Sequence, residues 1–124
     1  MHRTDWALLT RRSYSVLCYH RIAGAGEPGQ ERIDLPPARF RRHLRVLRVL
    51  GFRPVTEPEL RSLHGGEPVV LGRRRFLLTA DDGFTDCVEA LAAVRPRHAW
   101  LFVPTARPGQ RAGWAGQAPL APWP

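Results

Sequence analysis

Residues 76–86 have the sequence Phe-Leu-Leu-Thr-Ala-Asp-Asp-Gly-Phe-Thr-Asp, and this stretch decides the fold. Its apolar beginning predicts a strand that is buried on both faces, as strands of a parallel sheet are. Gly83 supplies the backbone freedom for a sharp turn directly after Asp81 and Asp82, and helical spacing follows from Thr85 to Val94. Because α/β folds place their chemistry where a buried strand ends before a helix, this turn is a candidate functional site.

Two interpretations of the adjacent Asp81 and Asp82 remain open. Two carboxylates this close repel each other, so the pKa of one rises unless a cation or several hydrogen-bond donors compensate. Successive strand residues point to opposite sides of a sheet, so the two aspartates can take different roles. One can bind a divalent metal while the other accepts a proton from water. Alternatively they form a solvated turn, since Asp and Gly are ordinary turn residues.

Strands and helices alternate along most of the chain. Runs of β-forming residues predict strands, the first of which ends at His20. Apolar residues at helical spacing predict helices, and Thr56 with Glu59 has the pattern of a capping box. This alternation predicts an α/β fold, either a parallel sheet or a partial (β/α) barrel. The predicted strands lie near residues 15–20, 52–56, 75–80 and 99–103, and the predicted helices lie near 37–50, 56–63 and 84–94.

The composition changes along the chain and suggests three segments. Residues 1–13 form a predicted N-terminal extension, and residues 14–105 carry the alternating strands and helices. Residues 106–124 are rich in Pro, Gly, Ala and Trp and lack periodicity, which predicts a loop or tail. With 124 residues, the chain is long enough for one modest domain.

The charge and hydropathy of the chain exclude several classes of partner. All 19 basic residues are arginines and outnumber the 11 acidic residues, giving a net charge of +8. The arginines are scattered and no aromatic-interleaved motif accompanies them, so we expect no specific nucleic-acid partner. No run of 18 apolar residues occurs, so no membrane span is predicted.

The cysteines and the N-terminus bear on the compartment. Cys18 and Cys87 lack metal-ligand spacing and lie in apolar contexts, so both are predicted to be buried free thiols, consistent with a reducing compartment. Residues 1–12 lack a sustained apolar segment and a cleavage site. A signal peptide is therefore not predicted, which favours the cytoplasm.

Several motifs, in order, resemble the polysaccharide deacetylase family, whose shared region is the chitooligosaccharide deacetylase homology domain. The segment Leu78–Phe84 is similar to that family's Leu-Thr-Phe-Asp-Asp-Gly-Phe motif, with Ala80 where Phe is usual. The resemblance covers roughly residues 14–105, the N-terminal part of the domain. The other matching residues are Tyr19-His20-Arg21-Ile22, Phe40, Leu44, Leu47, Gly51-Phe52, Pro54-Val55-Thr56, Glu59-Leu60, Asp86, Ala90-Leu91 and Ala99-Trp100-Leu101-Phe102-Val103.

The resemblance implies a metal-dependent hydrolase on a distorted (β/α) barrel that removes acetyl groups from N-acetylated oligo- or polysaccharides. By match to the motif, Asp81 would be the general base that deprotonates the attacking water. Asp82 would be a ligand of a divalent metal such as zinc, which polarises the acetyl carbonyl and lowers the pKa of that water. These roles are expectations carried by the motif.

The chain departs from the family pattern at the remaining metal ligands. The family takes two histidines from a later His-x-x-x-His motif, whose spacing puts both imidazoles on one helical face. The histidines of this chain are His2, His20, His43, His64 and His98, and no two are four residues apart. A single matched carboxylate does not hold a catalytic zinc, which normally has three protein ligands. We therefore expect weak deacetylase activity or none.

His20 and the overall function each retain two interpretations. His20 ends a strand at the predicted site edge, where it either contacts substrate or metal-bound water or is a structural, hydrogen-bonded residue. The chain is either a polysaccharide deacetylase domain represented by its N-terminal part, or a non-catalytic remnant or carbohydrate-interacting fragment from a truncated or frameshifted gene. A metal-dependent assay of acetate release separates the two functions.

Overall fold

The computed structural model describes residues 13–24, 34–67, 69–113 and 118–122. Parallel strands alternate with helices up to residue 101, and two very short strands follow. The predicted N-terminal extension, apart from Ser13, lies outside the described residues. The elements are β1 (Ser15–Tyr19), α1 (Pro37–Val49), β2 (Arg53–Pro54), α2 (Glu57–His64), β3 (Arg75–Ala80), α3 (Thr85–Val94), β4 (Trp100–Leu101), β5 (Arg111–Ala112) and β6 (Ala118–Pro119).

β3 is the central strand of a four-stranded parallel sheet. β1 pairs along its whole length on one side, with Ser15 opposite Phe76 and Tyr19 opposite Ala80. β2 and β4 pair with the other side, β2 at the beginning of β3 and β4 at its end. Because β3 is paired on both sides and covered on both faces, its residues 76–80 are buried. A strand in this position must be largely apolar. The predicted buried strand is confirmed.

The helices begin where the sequence signals indicate. Pro37 occupies the first turn of α1, where its missing N–H leaves no hydrogen bond unmade. The predicted capping box begins α2: the Glu59 carboxylate accepts hydrogen bonds from the backbone N–H and the hydroxyl of Thr56, at 2.8 and 2.9 Å. Arg75 also donates to that carboxylate and, at 3.0 Å, to the Pro54 carbonyl. The start of α2 is thereby joined to the sheet.

The main core lies between β3 and the helices α1 and α3. Phe40 of α1 and Phe84, which precedes α3, are fully buried, and Leu78 of β3 belongs to the same cluster. Each of these side chains contributes about 1.5–3 kcal/mol by its removal from water. A smaller cluster on the other face of the sheet contains Val55, Leu71 and Leu77. Both faces of β3 are therefore covered, as its sequence requires.

Two sequence-based expectations differ from the structure. The parallel strands form an open sheet, with β3 between β1 and β2, so closure into a barrel is not observed among the described residues. The interpretation of residues 106–124 as a loop or tail is wrong for part of that stretch. There β5 and β6 pair antiparallel, and Ala112, Ala118 and Leu120 are buried in the main core. Strands of two residues carry no periodicity, which is why the pattern did not predict them.

Within the described ranges, no helix is long and apolar enough to cross a membrane.

Candidate functional site

The two aspartates lie in a tight turn directly after β3. The Asp81 N–H donates to the Tyr19 carbonyl at 2.8 Å, which extends the β1–β3 pairing by one residue. Asp82 and Gly83 both have positive φ, 67° and 62°. A Cβ atom on Gly83 would lie 2.5 Å from Cγ1 of Val103, so only glycine fits this turn. The predicted role of Gly83 is confirmed.

His20 lies beside Asp81. It follows β1 as Asp81 follows β3, and parallel strands bring these two ends to the same edge of the sheet. A ligand atom of His20, a carboxylate oxygen of Asp81 and the Sγ atom of Cys18 all lie within 4.8 Å of one another. The predicted proximity of His20 to the aspartate turn is confirmed, whereas its role stays a prediction.

Cys18 requires a correction, because the sequence predicts a buried thiol without metal-ligand spacing. The structure exposes Cys18, while Cys87 is buried as predicted. The apolar neighbours of Cys18 suggested burial, but among the described residues β1 lies at the edge of the sheet and pairs on one side only. The sequence did contain one sign that Cys18 lies near His20. The two are two residues apart, and residues i and i+2 of a strand share a face.

The cluster of Cys18, His20 and Asp81 differs from the expected metal ligands. Asp82, the residue that matches the family's metal ligand, is not part of the cluster. Its carboxylate is nevertheless close enough to influence the thiol electrostatically. The structure therefore brings Asp81 rather than Asp82 together with the nitrogen and sulfur donors.

The electrostatics of Cys18 reflect its acidic neighbours. Desolvation is the largest cause that raises the pKa of the Cys18 thiol, while a hydrogen bond with Thr79 lowers it. A hydrogen bond with Asp81 and the charges of Asp81 and Asp82 raise it further. Without a cation, these neighbours favour the protonated form of the Cys18 thiol. Burial raises the pKa of the Cys87 thiol to about 12, with smaller contributions from the charges of Asp86 and Cys18.

An ion pair fixes the backbone that follows His20. The Arg21 guanidinium donates to Oδ2 of Asp86 from Nε at 3.1 Å and from Nη2 at 3.0 Å. The Ile22 N–H donates to the other oxygen of the same carboxylate at 3.4 Å. Nη1 of Arg21 lies 3.4 Å from the Asp34 carboxylate. The sequence motifs contained Arg21 and Asp86, but their spacing of 65 residues gave no sign of the contact.

Residues 118–122 brace the other side of the aspartate turn. The Ala121 N–H donates to the Gly83 carbonyl at 2.8 Å, and Leu120 forms an antiparallel bridge with Phe84. Leu120 is also buried in the main core. The turn is therefore held by β1, by Val103 and by this C-terminal segment.

A cleft of about 940 Å³ lies elsewhere in the fold and does not include the site. None of Cys18, His20, Asp81 and Asp82 lines it. It lies between α1, the beginnings of β2 and β3, and the residues after α3. Its size alone does not make it the functional centre, because its charged lining is mostly arginine and its Glu59 carboxylate is already held by Thr56 and Arg75. The arginines that line it are Arg41, Arg45, Arg48, Arg53, Arg75, Arg95 and Arg97.

The fold is similar to that of a polysaccharide deacetylase from Bacillus cereus whose crystal structure is known. The TM-score is 0.62 at 16% sequence identity, and the match covers 87% of this chain. The chain spans about 33% of the length of that protein. No protein-family model and no curated protein matches the sequence. At this identity the likeness shows the fold, a mixed α/β arrangement with parallel strands like that of a deacetylase.

The described histidines do not supply the ligand set that the family resemblance implies. His43 lies on α1, where its ring hydrogen-bonds to the Tyr19 hydroxyl at 3.2 Å. His64 ends α2, and His98 lines the arginine-rich cleft. Of the described histidines, His20 alone joins an aspartate in a cluster of potential ligands. The residues present therefore do not fit a metal held by Asp82 and two histidines.

Proposed function

We propose that this chain forms the N-terminal part of a polysaccharide deacetylase-like domain that binds N-acetylated oligo- or polysaccharides. The observation that carries the proposal is the position of Asp81. It follows the buried central strand of a deacetylase-like sheet and lies beside His20. The sequence motifs around Asp81 and His20, which occur in the same order as in the polysaccharide deacetylase family, support the same assignment.

In this proposal Asp81 faces the acetamido group as a proton acceptor, and His20 contributes a hydrogen bond at the edge of the site. Asp82 is the one matched ligand of the family's divalent metal. Because the other ligands are not matched, no step is assigned to a metal held in that way. Asp81 alone is too weak a base to ionise water at neutral pH, so turnover by this chain is weak or absent.

The second candidate is a non-catalytic fragment that interacts with carbohydrate. The lack of two histidines four residues apart favours it. Both candidates predict sugar binding, and they differ in acetate release. Binding therefore tests what the two share, and turnover separates them.

The test of the proposal is titration with an N-acetylglucosamine oligomer, followed by NMR or calorimetry. A cello-oligosaccharide of the same length is the comparator, because it is neutral and lacks the acetamido group. We expect saturable binding that prefers the N-acetylated oligomer and weakens at least about tenfold in Asp81→Asn, the loss of about one charged hydrogen bond.

His64→Ala is the matched control, since His64 is an exposed histidine at the end of α2. It should bind the oligomer like the wild-type chain. Equal affinity for the two oligomers, or binding that is indifferent to Asp81→Asn, would remove the support for an N-acetyl site at this edge.

A further inference from the structure

The cluster at the end of β1 combines three different donor atoms. The thiol sulfur of Cys18, an imidazole nitrogen of His20 and a carboxylate oxygen of Asp81 lie within 4.8 Å of one another. Within the part of the chain that the structure describes, no other group of three or more Cys, His, Asp or Glu residues meets this distance. The sequence resemblance assigns no metal to Cys18 or His20.

The donor set matches the ligand preference of zinc. Zinc binds cysteine sulfur at about 2.3 Å and histidine nitrogen or carboxylate oxygen at about 2.0–2.2 Å, usually in a tetrahedron. Ligand atoms in such a tetrahedron are about 3.3–3.6 Å apart. The separations in the cluster are at most 4.8 Å, and the three side chains are exposed or half-buried, which leaves them room to adjust. Three protein ligands leave one position open, as in catalytic zinc sites.

Three contacts hold the backbone beneath the cluster in place. The hydrogen bond from Asp81 to the Tyr19 carbonyl fixes the two strand ends relative to each other. The Arg21–Asp86 ion pair anchors the residue after His20. The Gly83 turn packs against Val103. Side chains on a fixed backbone lose little conformational freedom when they bind a metal. This cluster is therefore better suited to metal binding than a pair of residues on a flexible surface segment.

The imidazole is also free to bind. Among the described residues, no hydrogen bond to the ring of His20 is observed, whereas the His43 ring is engaged by Tyr19. The Cys18 sulfur lies within 4.8 Å of a carboxylate oxygen of Asp81, and its contact with the Tyr19 carbonyl oxygen is long, 4.0 Å. A metal bound here would take the place of the thiol proton, since cysteine binds a metal as the thiolate.

We propose that Cys18, His20 and Asp81 form a site for a divalent transition metal of the zinc type, with one position open to solvent. The site is distinct from the metal that the family resemblance implies, because it uses Asp81 in place of Asp82 and Cys18 with His20 in place of the histidine pair. It does not rest on the proposed function, since binding requires no sugar.

The test is titration of the reduced, full-length chain with Co²⁺, followed by absorption spectroscopy and competition with Zn²⁺. A cysteine ligand gives a thiolate-to-cobalt charge-transfer band. We expect that band in the wild-type chain and its loss in Cys18→Ser. His20→Ala and Asp81→Asn should each weaken binding at least about tenfold.

Two controls keep the result specific. His43→Ala should bind cobalt like the wild-type chain, because this exposed histidine lies outside the cluster. Asp82→Asn should also retain the charge-transfer band. Loss of binding in Asp82→Asn together with an unchanged band in Cys18→Ser would overturn the proposal in favour of a site of the family type.

A measurement on the wild-type chain covers the case in which a variant fails to fold. Zinc should slow the alkylation of Cys18 at least about tenfold, and a chelator should restore the rate. Alkylation of Cys18 at the same rate with and without zinc, at zinc concentrations above that of the protein, would contradict the site. Because no sugar is present, this outcome is separable from failure of the carbohydrate proposal.

Discussion

The Arg21 guanidinium donates two hydrogen bonds to one carboxylate oxygen of Asp86, at 3.1 and 3.0 Å. This contact joins the end of β1 to the first turn of α3 across 65 residues of sequence. Both side chains are mostly buried, with 14% and 24% of their surfaces exposed. The Arg21 guanidinium also lies 5.8 Å from the centre of the Phe84 ring, which adds a cation–π contact.

The Arg21–Asp86 contact predicts a coupling between the two residues. Arg21→Ala leaves the carboxylates of Asp86 and Asp34 without their cation, and we expect it to cost about 3 kcal/mol of unfolding free energy. Arg21→Lys keeps the charge but loses the planar fork, so its cost should be smaller. Urea denaturation of the single variants and of the double variant with Asp86→Asn measures the coupling. Additive losses would show that the two side chains do not interact.

The Gly83 turn predicts a steric effect beyond backbone strain. In Gly83→Ala the new methyl group would meet Val103 at 2.5 Å in a backbone with φ of 62°. Gly72→Ala is the matched control, because Gly72 has φ of 75° and no atom within 4 Å of the added Cβ. We expect Gly72→Ala to cost about 1 kcal/mol and Gly83→Ala about 2–4 kcal/mol. Thermal denaturation checks the difference, and Val103→Ala should restore part of the loss in the double variant. Equal costs for the two glycine variants would refute the close approach.

The Glu59 carboxylate predicts a dependence of stability on pH. Burial raises its pKa, but hydrogen bonds from Thr56 and Arg75 and the charge of Arg75 outweigh this and hold the pKa below its ordinary value. The folded state therefore binds the proton less readily than the unfolded state does. The stabilisation is fully present above the unfolded pKa of about 4.3 and is lost as pH falls through the lower folded pKa.

Replacement of Glu59 by Gln should flatten this part of the stability curve. Denaturation between pH 7 and pH 3 measures it for wild type, Glu59→Gln and Glu57→Gln. Glu57 pairs with Arg61 on the exposed surface of α2, so Glu57→Gln should follow the wild-type curve. If Glu59→Gln loses stability with acid as steeply as the wild-type chain, the network does not act as described.

The two cysteines predict a difference in thiol reactivity. Cys18 is exposed, whereas Cys87 is fully buried with its pKa raised to about 12. Alkylation of the native, metal-free chain at pH 8 should modify one thiol per chain, and alkylation in denaturant should modify both. Mass spectrometry of the digested protein identifies the labelled residue. Native labelling of Cys87 at a rate comparable to that of Cys18 would contradict the burial of α3 against the sheet.

The sequence predicted the centre of this fold better than its periphery. The β3 strand and the Gly83 turn were predictable because an apolar run followed by Asp-Asp-Gly restricts both burial and backbone geometry. The exposure of Cys18 could not be predicted from the sequence, because it depends on which strand lies at the edge of the sheet. The burial of Ala112 and Leu120 could not be predicted either, since the contacts of such short segments arise from tertiary packing.

The candidate site was predictable in part for the same reason. Asp81 and His20 each follow a strand, and parallel pairing brings strand ends together. The participation of Cys18 and the contact of Arg21 with Asp86 depend on side-chain direction and on long-range contacts. Whether the sheet closes into a barrel depends on the order of its strands, which the sequence pattern does not show. In the structure β3 lies between β1 and β2 in an open sheet.

Acetate release from an N-acetylglucosamine oligomer, with zinc or cobalt added, tests most directly the claim that this chain has a deacetylase-like fold without the family's catalytic metal site. Asp81→Asn is the control. We predict release at the background rate for both proteins, because the histidine pair of the family is absent from the sequence. Metal-dependent release by the wild-type chain that is abolished in Asp81→Asn would contradict the account.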